Sequence, residues 1–221
     1  MDVRKLSRRE ILKAGSAAGG LLVFGIGAAG CSRETPPAPG IEDFVPNVFV
    51  SFDADGDVEI TVSRSEMGQG VRTSLPRIVA VELEADLARV TLKQATGNPV
   101  YGDQNTDGSK SVRMMFEPLR NAGAAARNML EQAAADEWGV SVNEVRAVNH
   151  GVEHAASGRR LDYAELIAGA AALDLPESPR LKDPSEFRYI GKPAQNVDRD
   201  AIVTGSAIYG YDVTLPGKVT S

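Results

Sequence analysis

The sequence predicts an α+β fold, and three stretches carry that prediction. In "NVFVSFDADGDVEITVS", apolar and polar residues alternate on both sides of Asp55-Gly56, the pattern of a β-hairpin with strands near 48–53 and 58–63. Further along, Leu119, Ala122, Ala126, Met129, Leu130 and Ala133 recur at helical spacing, which predicts a long helix running through Trp138. Between them, an apolar helical stretch near 73–84 is followed by "RVTLKQA", a strand near 89–95.

In chain order, the folded part opens with the hairpin and passes through "SEMGQGVRT", residues 65–73, into the first helix. Thr73 is the expected N-cap of that helix, with Pro76 tolerated in its first turn. Residues 97–110, "GNPVYGDQNTDGSK", are rich in Gly, Asn and Asp and read as loop. Pro118 either begins the main segment of the long helix or kinks it. "EVRAVNHGVEHAA" predicts two short strands, and "LDYAELIAGAAAL" a helix in which Asp162 and Glu165 fit a capping box. Residues 174–186 form a Pro-rich connector. In 187–221, "VTGSAIYGYDVTLPG" reads as turn, strand and turn, the incomplete start of a second domain.

Residues 1–31 have the layout of an export signal: a basic start, then a Gly- and Ala-diluted apolar stretch ending in small residues. Arg8-Arg9, preceded by Ser7 and followed by Ile11-Leu12-Lys13, match the twin-arginine pattern. The bland reading, a basic anchor helix, fits the diluted apolar stretch less well. Cys31 follows Ala28-Ala29-Gly30 and is open equally to lipidation and to simple cleavage nearby. Residues 32–44 are a Pro-rich linker, and 45–173 form the main domain.

Composition narrows the function. The 221 residues are 43% hydrophobic and 24% charged, which is globular in character. Setting aside residues 1–31, with five basic and two acidic side chains, leaves 19 basic and 28 acidic ones, a net charge near −9. So acidic a body argues against nucleic acid as the main partner, because neutralising phosphates requires a basic surface. Cys31 is the only cysteine and His150 and His154 the only histidines, so an internal disulfide, a Cys-based zinc site and an iron–sulfur cluster held by this chain alone are excluded.

Two Gly-bearing loops precede helices, at 66–70 and 102–111. Backbone N–H groups and the positive dipole end converge at a helix start and favour an anion. Ser109 and Ser111 can add hydroxyl donors there, and Lys110 a charge. Gln69, between Gly68 and Gly70, offers an amide that both donates and accepts, suited to a polar heterocycle or an oxo group. Taken singly, each loop is explained as readily by a strand-to-helix turn or a helix cap. Neither fits the dinucleotide or P-loop spacing, and no G-x-S-x-G or H-E-x-x-H is present. His154 reads as structural, and Asp103 and Asp107 as turn formers.

Taken together, "EMGQGVRTSLPRIVAVELEAD", "DGSKSVRMMFEPLRNAGAAARNMLEQAAADEWGV" and "YIGKPAQNVDRDAIVTGSAIYGYDVTLPG" resemble the molybdopterin-binding large subunit of xanthine-dehydrogenase-type molybdenum hydroxylases, in the branch typified by the beta chain of isoquinoline 1-oxidoreductase. The resemblance runs from about residue 45 to the end. It implies a mixed sheet with packed helices, and a molybdenum cofactor (molybdopterin or its cytosine dinucleotide) contacted by Gly68, Gln69 and Gly70. It also implies that Gly108, Ser109 and Ser111 hold the phosphate-bearing tail of that cofactor. The implied reaction is hydroxylation of an aldehyde or N-heterocycle with oxygen from water, its electrons leaving through a separate 2Fe–2S subunit. The family's Gly-rich second cofactor loop and its catalytic glutamate have no counterpart in these residues. The expectation is therefore the N-terminal part of such a subunit, inactive alone and partnered by the iron–sulfur subunit, the remainder of the large subunit and the twin-arginine machinery. The competing expectation is an inactive remnant, or a lipid-anchored periplasmic binding protein.

Overall fold

The computed structural model describes residues 44–217. Arg8, Arg9 and Cys31 lie outside the described residues. Four strands, β1 (Phe44–Asn47), β2 (Val50–Phe52), β3 (Val58–Val62) and β4 (Val90–Gln94), form one sheet in the order β1-β2-β3-β4. The first three pair antiparallel and β3–β4 pair parallel, so the sheet is mixed. The parallel pair requires a crossover, since no tight turn can reverse the chain twice, and helix α1 (Val71–Leu83) supplies it.

The hairpin falls where the alternation puts it, with Val50 opposite Ile60 and Phe52 opposite Val58, all four buried. Asp53 closes its turn by accepting from the backbone N–H of Asp55 and Asp57 at 3.0 and 2.9 Å. Gly56 is fixed by packing as well as by a φ of 83°, because a Cβ there would sit 2.5 Å from the backbone nitrogen of Ala164. Strand β1 was not expected from sequence. Asn47 makes its turn, its side chain accepting from Phe49 N at 3.0 Å while donating to Ala122 O at 3.1 Å.

Helix α2 (Ser111–Trp138) runs unbroken, with Pro118 inside it, so Pro118 does not begin the helical segment. Its periodic residues Leu119, Ala122, Ala126, Met129, Leu130 and Ala133 are all buried. Gly123 lets α1 approach so closely that a Cβ would lie 2.5 Å from the carbonyl oxygen of Val79. A second, three-stranded antiparallel sheet comprises β5 (Val145–Ala147), β6 (Gly151–His154) and β7 (Arg159–Asp162). Asn149 and His150, at φ 42° and 68°, make the two-residue turn between β5 and β6, both in the left-handed region that a type I′ hairpin demands. Strand β7, like β1, has no signal in the sequence. Helix α3 (Tyr163–Ala171) follows, with the anticipated capping box: Asp162 accepts from Ala164 N at 3.2 Å and Glu165 accepts from Asp162 N at 2.8 Å.

Two expectations are corrected. The first helix starts at Val71, with Gly70 at the cap position, so Thr73 lies inside the helix and Pro76 falls in its second turn. The strand expected within 205–217 is absent. A short helix, α4 (Arg199–Thr204), stands before it, and Tyr211 and Leu215 are 90% and 66% exposed with no neighbouring strand among the described residues.

Buried charge ties α1, α2 and the 180–188 segment together. Glu82, fully buried, accepts from Arg120 Nε at 2.6 Å, Arg127 Nη1 at 3.2 Å and the backbone N–H of Lys182 at 3.0 Å. Arg127 also donates to the carbonyls of Glu82 and Arg180. Glu84 pairs with Lys182 and with Arg188. Removing one partner strands the others without compensation, so Glu82→Ala should lower unfolding stability by about 3–5 kcal/mol in chemical denaturation. Lys93→Ala, which breaks the exposed Lys93–Glu59 pair of 2.9 Å, should cost less than about 1 kcal/mol.

Candidate functional site

Arg64, Ser65 and Glu66 leave the end of β3 and connect it to the Met-Gly-Gln-Gly loop. Glu66 reaches over that loop. Its Oε1 accepts from the backbone N–H of Gly68 and Gly70 at 2.8 and 2.9 Å, and its Oε2 from that of Arg72 at 2.9 Å. The anion cradle expected at this helix start is thus filled by the chain's own carboxylate. Partial burial opposes ionisation of Glu66, but the backbone donors of Arg72, Gly70 and Gly68 outweigh it and hold the carboxyl below the usual glutamate range.

Gly68 and Gly70 adopt φ of 96° and 79°, where other residues are strained. A Cβ at either would meet nothing within 4 Å, so it is the turn, and no protein neighbour, that requires glycine there. The exposed amide of Gln69 is oriented from both ends: Oε1 accepts from Met67 N at 2.5 Å and Nε2 donates to Ser65 O at 2.9 Å. An amide carries two N–H donors and two acceptor lone pairs, so one of each stays available.

The second loop meets the first at the same atom. Thr106 Oγ1 donates to Ser65 O at 3.0 Å, beside the bond from Gln69. Arg64, 1% exposed, donates from Nη1 to the carbonyl of Asn105 and lies 3.5 Å from a carboxylate oxygen of Asp103. The negative charges of this loop are thereby answered, Asp103 by Arg64 and Asp107 by Lys110 at 3.4 Å. Gly108 and Ser109 both take positive φ, 50° and 55°, and Ser109 is exposed. Lys110 occupies the cap position of α2 without any side-chain cap bond, so the first N–H groups of α2, at Ser111 and beyond, receive no side-chain acceptor at the cap.

Gly68, Gln69, Gly70, Gly108, Ser109 and Ser111 are the site residues expected from sequence. The structure brings the loops that carry them together, and the joining bonds come from Thr106 and Arg64. Arg64, Ser65, Glu66 and Thr106 were missed. Two signals were present: an arginine just after an apolar strand, and a glutamate just before two glycines at a helix start. The histidines lie apart. His150 Nε2 donates to Gly56 O at 2.8 Å while Nδ1 accepts from Asp86 N at 3.1 Å, and burial holds its ring pKa below the ordinary value. His154 bonds Ser157 at 2.8 Å.

The architecture is a mixed sheet with packed helices, in which two small-residue loops meet at one carbonyl. The chain matches the molybdopterin cofactor-binding domain over residues 4–213 and belongs to that family, as the resemblance in its sequence implied. It is 34% identical to the beta chain of isoquinoline 1-oxidoreductase from Brevundimonas diminuta, the match covering 97% of this chain and 33% of the relative. It is 32% identical to a membrane-bound aldehyde dehydrogenase (pyrroloquinoline-quinone) of Gluconacetobacter polyoxogenes, covering 97% and 28%. With a subunit of nicotinate dehydrogenase from Pseudomonas putida the identity is 31%, over 84% and 16%. Quinoline 2-oxidoreductase from Pseudomonas putida 86 aligns in structure over 56% of this chain and 16% of its own, with 21% identity and a TM-score of 0.45. The chain spans a third or less of the length of these relatives.

Residues fit such a cofactor on two observations. Arg64 Nε, buried between the loops, has no acceptor among the described residues, and the space over Gly68 and Gly70 is open. The cap itself is testable. Glu66→Ala should cost about 1 kcal/mol of stability, as loss of an N-terminal cap does. Because the folded pKa lies below the ordinary 4.5, the contribution is complete above that pH and disappears as pH falls through the folded value. The gap in melting temperature between the parent and Glu66→Gln should therefore hold constant from pH 7 to 5 and close on further acidification.

Proposed function

We propose that this chain is the N-terminal part of the molybdopterin-binding large subunit of a periplasmic molybdenum hydroxylase that oxidises aldehydes or N-heterocycles with water as the oxygen source. Family membership supports the cofactor class. The names of the relatives, which include an isoquinoline, a nicotinate and an aldehyde enzyme, support the substrate class. The observation that carries the site reading is the shared acceptor: Gln69 and Thr106, from two loops, donate to one carbonyl at 2.9 and 3.0 Å.

When bound, the molybdenum cofactor supplies the oxygen-transfer and electron-accepting chemistry. Gln69 presents its spare N–H and lone pair toward a polar heterocycle, held in orientation by Met67 N and Ser65 O. The start of α2, with Ser109 and Ser111, offers N–H and hydroxyl donors to an anionic tail. Glu66 occupies the donors of α1, which directs negative charge to α2 and away from α1. The general base belongs to the remainder of the large subunit, and electrons leave through a 2Fe–2S subunit. Residues 187–221 begin the next domain, while 1–31 direct export, with Cys31 a site of lipidation or cleavage. No helix among the described residues is long and apolar enough to cross a membrane.

Elemental analysis tests the cofactor reading. The chain, purified with its iron–sulfur subunit and the remaining large-subunit sequence, should carry molybdenum close to one per complex. Gln69→Ala, which removes one oriented hydrogen bond, should reduce retention after dialysis by about fivefold to tenfold. Molybdenum near zero in the parent complex would sink the reading. Export is tested separately. Replacing Arg8-Arg9 with Lys-Lys should strand the precursor in the cytoplasm on fractionation, and unchanged export refutes the twin-arginine assignment.

A further inference from the structure

Arg64 has so far appeared as a contact between the two loops, and its burial says more. It is among the largest fully buried side chains, yet it carries a charge and follows by two residues an apolar strand whose Val58, Ile60 and Val62 belong to the core. A buried guanidinium persists only where its donors are met. Here Nη1 meets the Asn105 carbonyl, Asp103 stands 3.5 Å away, and Nε has no partner among the described residues. These polar contacts of Arg64 are with the second loop, although its backbone is continuous with the first. The next residue supplies the carbonyl shared by Gln69 and Thr106, and the one after caps the first loop. Three consecutive residues thus span both loops.

We propose that Arg64 is the positioning residue that fixes the second cofactor-facing loop against the Met-Gly-Gln-Gly loop, with its Nε left for an oxygen acceptor that arrives with the ligand. The inference rests on the function proposed above only for that acceptor; the positioning itself is a property of this chain. Lysine keeps the charge but has no planar fork, so it cannot hold the Asn105 carbonyl and present a second, fixed N–H at once.

The test is amide hydrogen exchange on the full chain without cofactor. In Arg64→Lys, the amide of Asn105, which donates to Asp103 Oδ1 at 3.0 Å, should exchange at least about tenfold faster, the bias that one charged hydrogen bond provides, while those of 122–134 in α2 stay unchanged. Exchange at Asn105 within twofold of the parent overturns the proposal. Should Arg64→Lys also loosen α2, the guanidinium N–H resonances of Arg64 in the parent chain take its place, since a side chain held against the Asn105 carbonyl cannot rotate freely about its Nε–Cζ bond. Separate Nη resonances support the proposal, and one averaged resonance overturns it. Molybdenum retention is the second readout. A parent complex without molybdenum ends the cofactor reading and leaves the exchange result to decide the positioning role on its own.

Discussion

The fold is organised around a carboxylate that cannot reach water. Glu82 sits near the end of α1, and burying its charge is costly unless partners surround it. Those partners come from α2, through Arg120 and Arg127, and from the 180–188 strap through the backbone of Lys182. Apolar contact alone would let two alanine- and valine-rich helices slide, since their surfaces are smooth and nearly interchangeable. The buried ion network removes that freedom. It fixes one register, and Gly123 against the Val79 carbonyl permits the approach that this register needs. Arg127 then extends the constraint to Glu131, which also accepts from Ala147 N at 3.0 Å and so ties the second sheet to the same helix.

What could be read in the sequence was what depends on near neighbours. Alternation around Asp55-Gly56 and the period of α2 are local patterns, and both became the elements they predict. The Asp162–Glu165 capping box needs only four residues and is present. The missed features are those that no apolar pattern marks, whether the partner is distant or near. Glu82 is one glutamate among many until Arg120 and Arg127 are seen around it. Strand β7 comprises "RRLD", which has no apolar alternation; it pairs because β6 offers an edge, with Glu153 opposite Arg160 and joined to it at 2.6 Å. The reverse failure occurs at Tyr209, Tyr211, Val213 and Leu215. There the alternation is clear but a strand does not form, because backbone donors and acceptors of an extended segment need an edge to meet.

At the site, the same distinction separates the glycines from their supports. Gly68 and Gly70 announce a turn, and nothing in the sequence says which acceptor would satisfy its N–H groups. An external anion and Glu66 are chemically equivalent answers, and the structure shows the internal one. The loops that precede α1 and α2 meet at the Ser65 carbonyl, so both helices set out from the same end of the domain. Two positive dipole ends side by side repel each other unless negative charge lies between them. Glu66 neutralises the first, whereas Lys110 gives the second no cap. The uncapped dipole end is therefore that of α2, where Gly108, Ser109 and Ser111 stand, whereas the neutral amide of Gln69 belongs to the loop whose helix end is already neutralised. That asymmetry follows from a single residue: with a neutral side chain at position 66, neither helix start would carry a negative charge, and the two dipole ends would be electrostatically alike.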